Sequence, residues 1–239
     1  MKIKRAVLVL LFILLILVSI CALVIYQPFS PPPEPYMPNQ TLWIDAWLEN
    51  PVCQPPCLDN IIPGVTPADE VAEKLSVHPG VLRVEREKKN YYTEAIRWYT
   101  PENEMGQLGE VTVNTDTQIV SGIEIYSNSN VAKILLGDFI DVFGEPDYVY
   151  PYTDAEFISS TCVAHLYYVD KGMSVRFLLT ESTKERVNIT PDTLISGIGL
   201  LPPQPDIEQT LKQFSYAPQL SDINKIVPWE GYGKYRCEP

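Results

Sequence analysis

Four cysteines and two histidines are the residues whose types and spacing bear most directly on chemistry here. Cys53-Gln54-Pro55-Pro56-Cys57 holds two thiols four positions apart, while Cys162 and Cys237 stand well separated in the second half of the chain. In an oxidising compartment such cysteines pair, and four of them allow three connectivities. The two prolines between Cys53 and Cys57 turn the chain and favour that pair. Cys162 is then left to join Cys237, pinning the C-terminal tail to the strands before it, provided that Cα atoms come within about 7 Å. The rival chemistry is a thiol-redox or copper site at Cys53 and Cys57, because soft thiolates suit Cu(I). Copper carriers with this spacing add a histidine, and only His78 and His165 are available. His78, beside Pro79-Gly80, reads as a turn residue, and His165 reads as a surface or satisfied residue of a strand.

Other constellations are thin. The chain contains no H-E-x-x-H, no G-x-S-x-G, no phosphate-binding glycine loop and no dinucleotide fingerprint. Asp138 and Asp141 could do acid/base work or hold calcium, but acids early in a short helix are accounted for by its dipole. Near the end, Trp229, Tyr232 and Tyr235 are spaced with glycines at 231 and 233. Exposed, these rings would make a binding patch for a partner or a glycan; packed on a sheet, they would be core. These residues lead to an expectation of no catalytic residue, no cofactor, no metal site and no enzymatic activity.

The elements that position these residues begin with Ala6 to Tyr26, 21 residues without charge or proline. As a helix that run spans roughly 32 Å, enough for the hydrocarbon core of a bilayer. Lys2, Lys4 and Arg5 precede it and favour a cytoplasmic N-terminus. The expected organisation is a cytoplasmic tip over 1–5, a transmembrane anchor over 6–26 and everything beyond outside the cytoplasm. A cleaved signal or a lipidated Cys21 are rival readings; the apolar run past Cys21 and Ile20 just before it argue against both. Residues 27–52 form a stalk and lead-in, where Pro28, Pro31, Pro32, Pro33, Pro35 and Pro38 favour an extended polyproline segment. The whole chain has a formal charge of −12, and three of its 18 basic residues lie in the first five positions. The outer part is therefore strongly acidic, which excludes nucleic acid as a partner and repels anionic lipid.

The remaining stretch reads as α+β, with two tandem modules of a short helix followed by an antiparallel sheet, over 53–130 and 131–201, and a tail over 202–239 packing on the second. In the first, Thr66 is expected to cap a helix, with Pro67 at its first position and Asp69 completing a capping box. Tyr92, Glu94, Ile96 and Trp98 then share one side of a strand. A turn at Pro101-Glu102-Asn103 leads to a strand through Val111 and Val113, and Ile119, Val120, Ile123 and Ile125 make the next. In the second, Ile140 and Phe143 face inward, and Gly144 with Pro146 ends the helix. Strands over 162–169 and 173–180 flank a turn at Asp170-Lys171-Gly172, and a third runs over 194–201.

A glycine before a short helix, Gly-x-Pro after it and then antiparallel strands, carried by Gly64, Thr66, Gly137, Gly144 and Pro146, resembles envelope lipoproteins of the SmpA/OmlA type. In doubled form it resembles beta-lactamase inhibitor proteins. That resemblance implies binding to other envelope proteins, and carries no contact residue onto this chain. The stretch Cys53 to Thr66 also resembles bacterial membrane-anchored proteins, which implies architecture alone. The expected function is thus a single-pass, outward-facing, non-catalytic binding or envelope-interaction module. Its expected partners are the membrane, through residues 6–26, and an envelope protein.

Overall fold

The computed structural model describes residues 53–78, 80–99, 107–126, 134–154, 161–178, 185–213 and 224–237. The tip, anchor, stalk and lead-in over 1–52, and the turn at Pro101-Glu102-Asn103, lie outside the described residues. Among the described residues no helix is long and apolar enough to cross a membrane. In chain order the elements are α1 (Ala68–Val77), β1 (Arg83–Lys88), β2 (Thr93–Tyr99), β3 (Gln107–Asn114) and β4 (Ile119–Tyr126). Then come α2 (Leu136–Phe143), β5 (Tyr148–Asp154), β6 (Thr161–Tyr168), β7 (Met173–Leu178), β8 (Arg186–Ile189) and β9 (Leu194–Leu200). The chain closes with α3 (Ile207–Gln213), β10 (Val227–Pro228) and β11 (Gly233–Arg236).

The fold is α+β: among the described residues it is one large antiparallel sheet with three short helices. The sheet order is β1-β2-β3-β4-β9-β7-β6-β5-β10, and β11 pairs separately with β8. The sequence anticipates two sheets. Instead the two helix-plus-strand stretches meet edge to edge, where β4 pairs with β9 through Ile123↔Leu200 and Ile125↔Ile198. Two separate sheets would leave these edges with unpaired amides and carbonyls; joining satisfies both ladders.

Side-chain alternation divides the sheet into two faces. One cross-sheet row, Val84, Trp98, Gly109, Ile125, Ile198, Val175, Leu166 and Val149, is apolar throughout and faces the helices. Ala68, Val71 and Leu75 of α1 and Leu136, Phe139 and Phe143 of α2 close over it in a single core. Full burial of a side chain as large as Trp98 stabilises by about 3 kcal/mol.

Local signals are partly as expected. Gly144 at φ 80° terminates α2, its amide donating to Ile140 O, a geometry that a side chain would strain. Phe143 is buried, whereas Ile140 is only half-buried. Thr66 does not cap α1. Pro67 holds the cap position, and the Thr66 hydroxyl turns inward to accept the Ile62 amide at 2.8 Å. The capping box with Asp69 is therefore not formed; Asp69 instead takes Arg86 Nη1 of β1 at 2.7 Å.

Candidate functional site

The sheet face turned away from α1 and α2 carries the polar chemistry. Directly opposed residues across it run Glu85, Arg97, Glu110, Glu124, Gly199, Ser174, Tyr167 and Tyr148. The first half of that row is charged, and the second passes through Gly199 and Ser174 to two tyrosines.

Over β1–β4 the charges are paired. Glu110 is 6% exposed, and its two oxygens take Lys89 Nζ and Arg97 Nε, the latter at 3.0 Å. Arg97 also reaches Glu87 on β1. Burying one carboxylate between two cations satisfies it where a lone charge would be strongly unfavourable. Glu124, next in the row, lies half-buried. Its Oε2 accepts from Tyr126 Oη at 2.6 Å. Burial raises its pKa above the usual carboxylate range, opposed by the Tyr126 hydrogen bond and the Arg176 charge and assisted by Glu110.

Beside this row lies a groove of about 550 Å3. Its floor is made of small residues of β3 and β4, namely Thr112, Ser121 and Gly122, with Thr93 and Asn114 at one end and Glu124 at the other. Leu201, Pro202 and Gln213 form a wall. The wall fits because position 122 is glycine: a Cβ there would come within 2.8 Å of Leu201 Cδ2. The volume falls within the range of pockets that hold small ligands or short peptide segments.

Over β5–β7 the same face is covered. Tyr150 and Tyr167 are buried under Leu211 of α3, with Tyr148, Tyr152, Ile207 and Ile226 packed around them. Tyr150 and Tyr152 stack at 5.0 Å and 9°. α3 begins at Asp206, whose Oδ1 accepts the Gln209 amide at 2.8 Å, a cap that fixes the helix over this patch. His165 sits in this layer and is 6% exposed, with Nε2 3.1 Å from Tyr152 Oη. It is a satisfied sheet residue and not a surface one. Burial, and then the Arg176 charge, lower its pKa to about 3, so the ring is neutral at physiological pH. Arg176 passes close by Gly197, where a Cβ would stand 2.9 Å from its Nη2.

The cysteines pair as Cys53–Cys57 and Cys162–Cys237, with Cα separations of 5.6 and 5.7 Å. Cys57, 3% exposed, sits beside the Leu58–Ile61 bridge at the edge of the core. Cys162 of β6 is fully buried, and Cys237 is 4% exposed. The tail reaches Cys237 by adding β10 to the edge of β5 and β11 to β8. His78 is drawn into a turn, its Nδ1 accepting the Gly80 amide at 3.1 Å; burial lowers its pKa against the pull of Asp59. Among the described residues no group of three or more His, Cys, Asp or Glu side chains is gathered as a metal would require.

Trp229, Tyr232 and Tyr235 do come together. Trp229 lies nearly parallel to Tyr235 at 5.9 Å and 13°, and perpendicular to Tyr232 at 5.7 Å and 83°. Tyr235 is structural: its hydroxyl donates to Gly231 O at 2.7 Å and accepts the Glu230 amide at 3.2 Å. Tyr232 is 43% exposed. The groove and the Glu110 and Glu124 row were not singled out from sequence. Their signal, Glu110 and Thr112 alternating with valines on β3 and Glu124 on β4, is also that of a solvated strand face. Compared with protein-family models, curated proteins and solved structures, the chain matches none.

Proposed function

We propose that this chain is a membrane-anchored extracytoplasmic binding module that holds an envelope protein partner without catalysing a reaction. In this reading residues 6–26 span the membrane with the N-terminus in the cytoplasm, and 27–52 hold the folded part away from it. The folded part is two tandem modules, 53–130 and 131–201, fused at β4 and β9, with the tail 202–239 packed on the second. The observation that carries the reading is the groove over β3 and β4. It has a small-residue floor, a wall of Leu201, Pro202 and Gln213 and a half-buried carboxyl at one end, which suits an extended segment of a partner. Two disulfides support an oxidising compartment.

The second reading, a thiol-redox or copper-handling factor using Cys53 and Cys57, keeps a footing because Cys53 is only half-buried. Burial of Cys57 weighs against it, since exchange requires access to the sulfur attacked. The test places a photocrosslinking amino acid at Ser121 in the full-length protein in cells, with Thr112→Trp to fill the groove. A discrete adduct at Ser121 that is lost in Thr112→Trp is the expected result. No adduct, or one unaffected by the filled groove, overturns the binding reading. Ready reduction of Cys53–Cys57 under mild reductant, followed by retention of one Cu(I), puts the thiol reading in its place.

A further inference from the structure

Between α2 and the C-terminal tail lies a second surface, distinct from the groove. Tyr232 and Val142 are exposed here, and the half-buried Trp229 ring meets the Tyr232 ring at nearly a right angle. Carboxylates lie beside this corner: Asp141 and Glu145, both exposed, act on the Tyr232 phenol, and the backbone carbonyl of the exposed Asp147 accepts the Trp229 amide at 3.0 Å. Beneath it the Tyr168 ring is 1% exposed. Its hydroxyl has no hydrogen-bond partner among the described residues, and feels Tyr232, Asp147 and Glu145.

Elsewhere this chain places cations over its tyrosines. Arg83 lies 4.0 Å from the centre of Tyr99 and Arg176 5.6 Å from Tyr126, and beneath the corner Lys171 lies 5.5 Å from the buried Tyr168 ring. Among the described residues no lysine or arginine stands over Trp229 or Tyr232. Lys234 and Arg236 alternate with Tyr235 along β11 and so lie on its other side. A partly exposed aromatic corner with acids beside it, whose Trp229 and Tyr232 rings carry no lysine or arginine among the described residues, is complementary to a positively charged group.

We propose that the Trp229–Tyr232 corner docks a lysine- or arginine-bearing segment of a partner protein, its cation lying against the two rings and paired with Asp141 and Glu145. The aromatic faces supply the attraction of the ring quadrupole, and the carboxylates supply charge-assisted hydrogen bonds. This surface is separate from the groove, so its test stands whether or not the groove binds anything.

The probe is an acetylated tetralysine peptide titrated into the full chain in detergent micelles by calorimetry at low salt. Saturable one-site binding is expected, weakened about two- to fivefold in Tyr232→Ala. Tyr232→Phe keeps the ring and should bind as the parent does. Asp141→Asn with Glu145→Gln should weaken binding about fivefold. A control pair on the other half of the protein, Glu73→Gln with Asp116→Asn, should leave it unchanged. No saturable binding, no loss in Tyr232→Ala, or an equal loss in the control pair, which would mean diffuse attraction to an acidic surface, each overturns the proposal.

Discussion

β1–β4 and β5–β7 turn their apolar side chains to the same core, yet their opposite faces solve different problems. Over β1–β4 that face is charged, with Glu110 held between Lys89 and Arg97 and a groove left beside Thr112 and Gly122. Over β5–β7 it is tyrosine-rich and closed by α3. The same strand alternation supports both outcomes, because what decides them is whether a further element packs on top. The half with a lid has a second small core, and the half without one has a candidate site.

Removing the staple of the covered half gives the largest expected contrast. Cys162→Ser with Cys237→Ser opens a bridge between residues 75 apart in sequence. Loop-closure entropy puts the loss at about 4 kcal/mol, against about 2 kcal/mol for Cys53→Ser with Cys57→Ser. Urea denaturation of both double variants measures the difference. Equal losses would mean that the tail adds nothing beyond its local contacts.

Leu211→Ala removes the α3 residue buried on Tyr150 and Tyr167, and should cost about 3 kcal/mol. Thr112→Ala in the uncovered half should cost under about 0.5 kcal/mol. Thermal melts that show similar losses would erase the distinction between a lidded and an open face.

His165 sharpens the comparison through pH. Its folded-state pKa is lowered to about 3, so between that value and the unfolded value near 6.5 the unfolded chain binds a proton that the folded one does not. Its contribution is fully present above the unfolded pKa and is lost as pH falls through this window, at up to about 1.4 kcal/mol per pH unit. His165→Gln should remove that slope from stability measured between pH 4 and 6. An unchanged slope would place the acid sensitivity elsewhere.

A modest effect is expected at Glu110. Glu110→Gln leaves Lys89 and Arg97 facing a neutral amide, at a cost of about 1–2 kcal/mol in urea denaturation. Because Arg97 keeps Glu87, a loss above about 4 kcal/mol would show the charged row to be a second core in its own right.

Legibility in the sequence followed local chemistry. β2, β3, β4, β6, β7 and β9 were marked by alternation, and Gly172 marked the β6–β7 turn. β1 was hidden because five of its six residues are charged. It is a strand only because Arg86 meets Asp69 and Glu94, and because β2 supplies its ladder. β5 was hidden by Pro151, tolerated because β10 pairs only with Tyr148 and Val149 and leaves that stretch of the edge free. β8 and β11 are four-residue strands, too short to carry a pattern, and each exists through the other. At the candidate sites, the cysteine pairs and the grouping of Trp229, Tyr232 and Tyr235 were readable. The groove was not, since Gly122 and Leu201 are 79 positions apart and meet only in the fold.

By itself the sequence determined the α+β class, the alternation of the main strands and the end of α2 at Gly144, and it favoured the two cysteine pairs among three connectivities. Each of these follows from neighbours in the chain or from a short list of pairings. Only the tertiary structure decided that the strands share one sheet, that His165 is buried and neutral, and that one face is covered by α3 while the other keeps a groove. Edge pairing, desolvation and coverage are properties of residues brought together from distant positions, and no local pattern encodes which surfaces will meet.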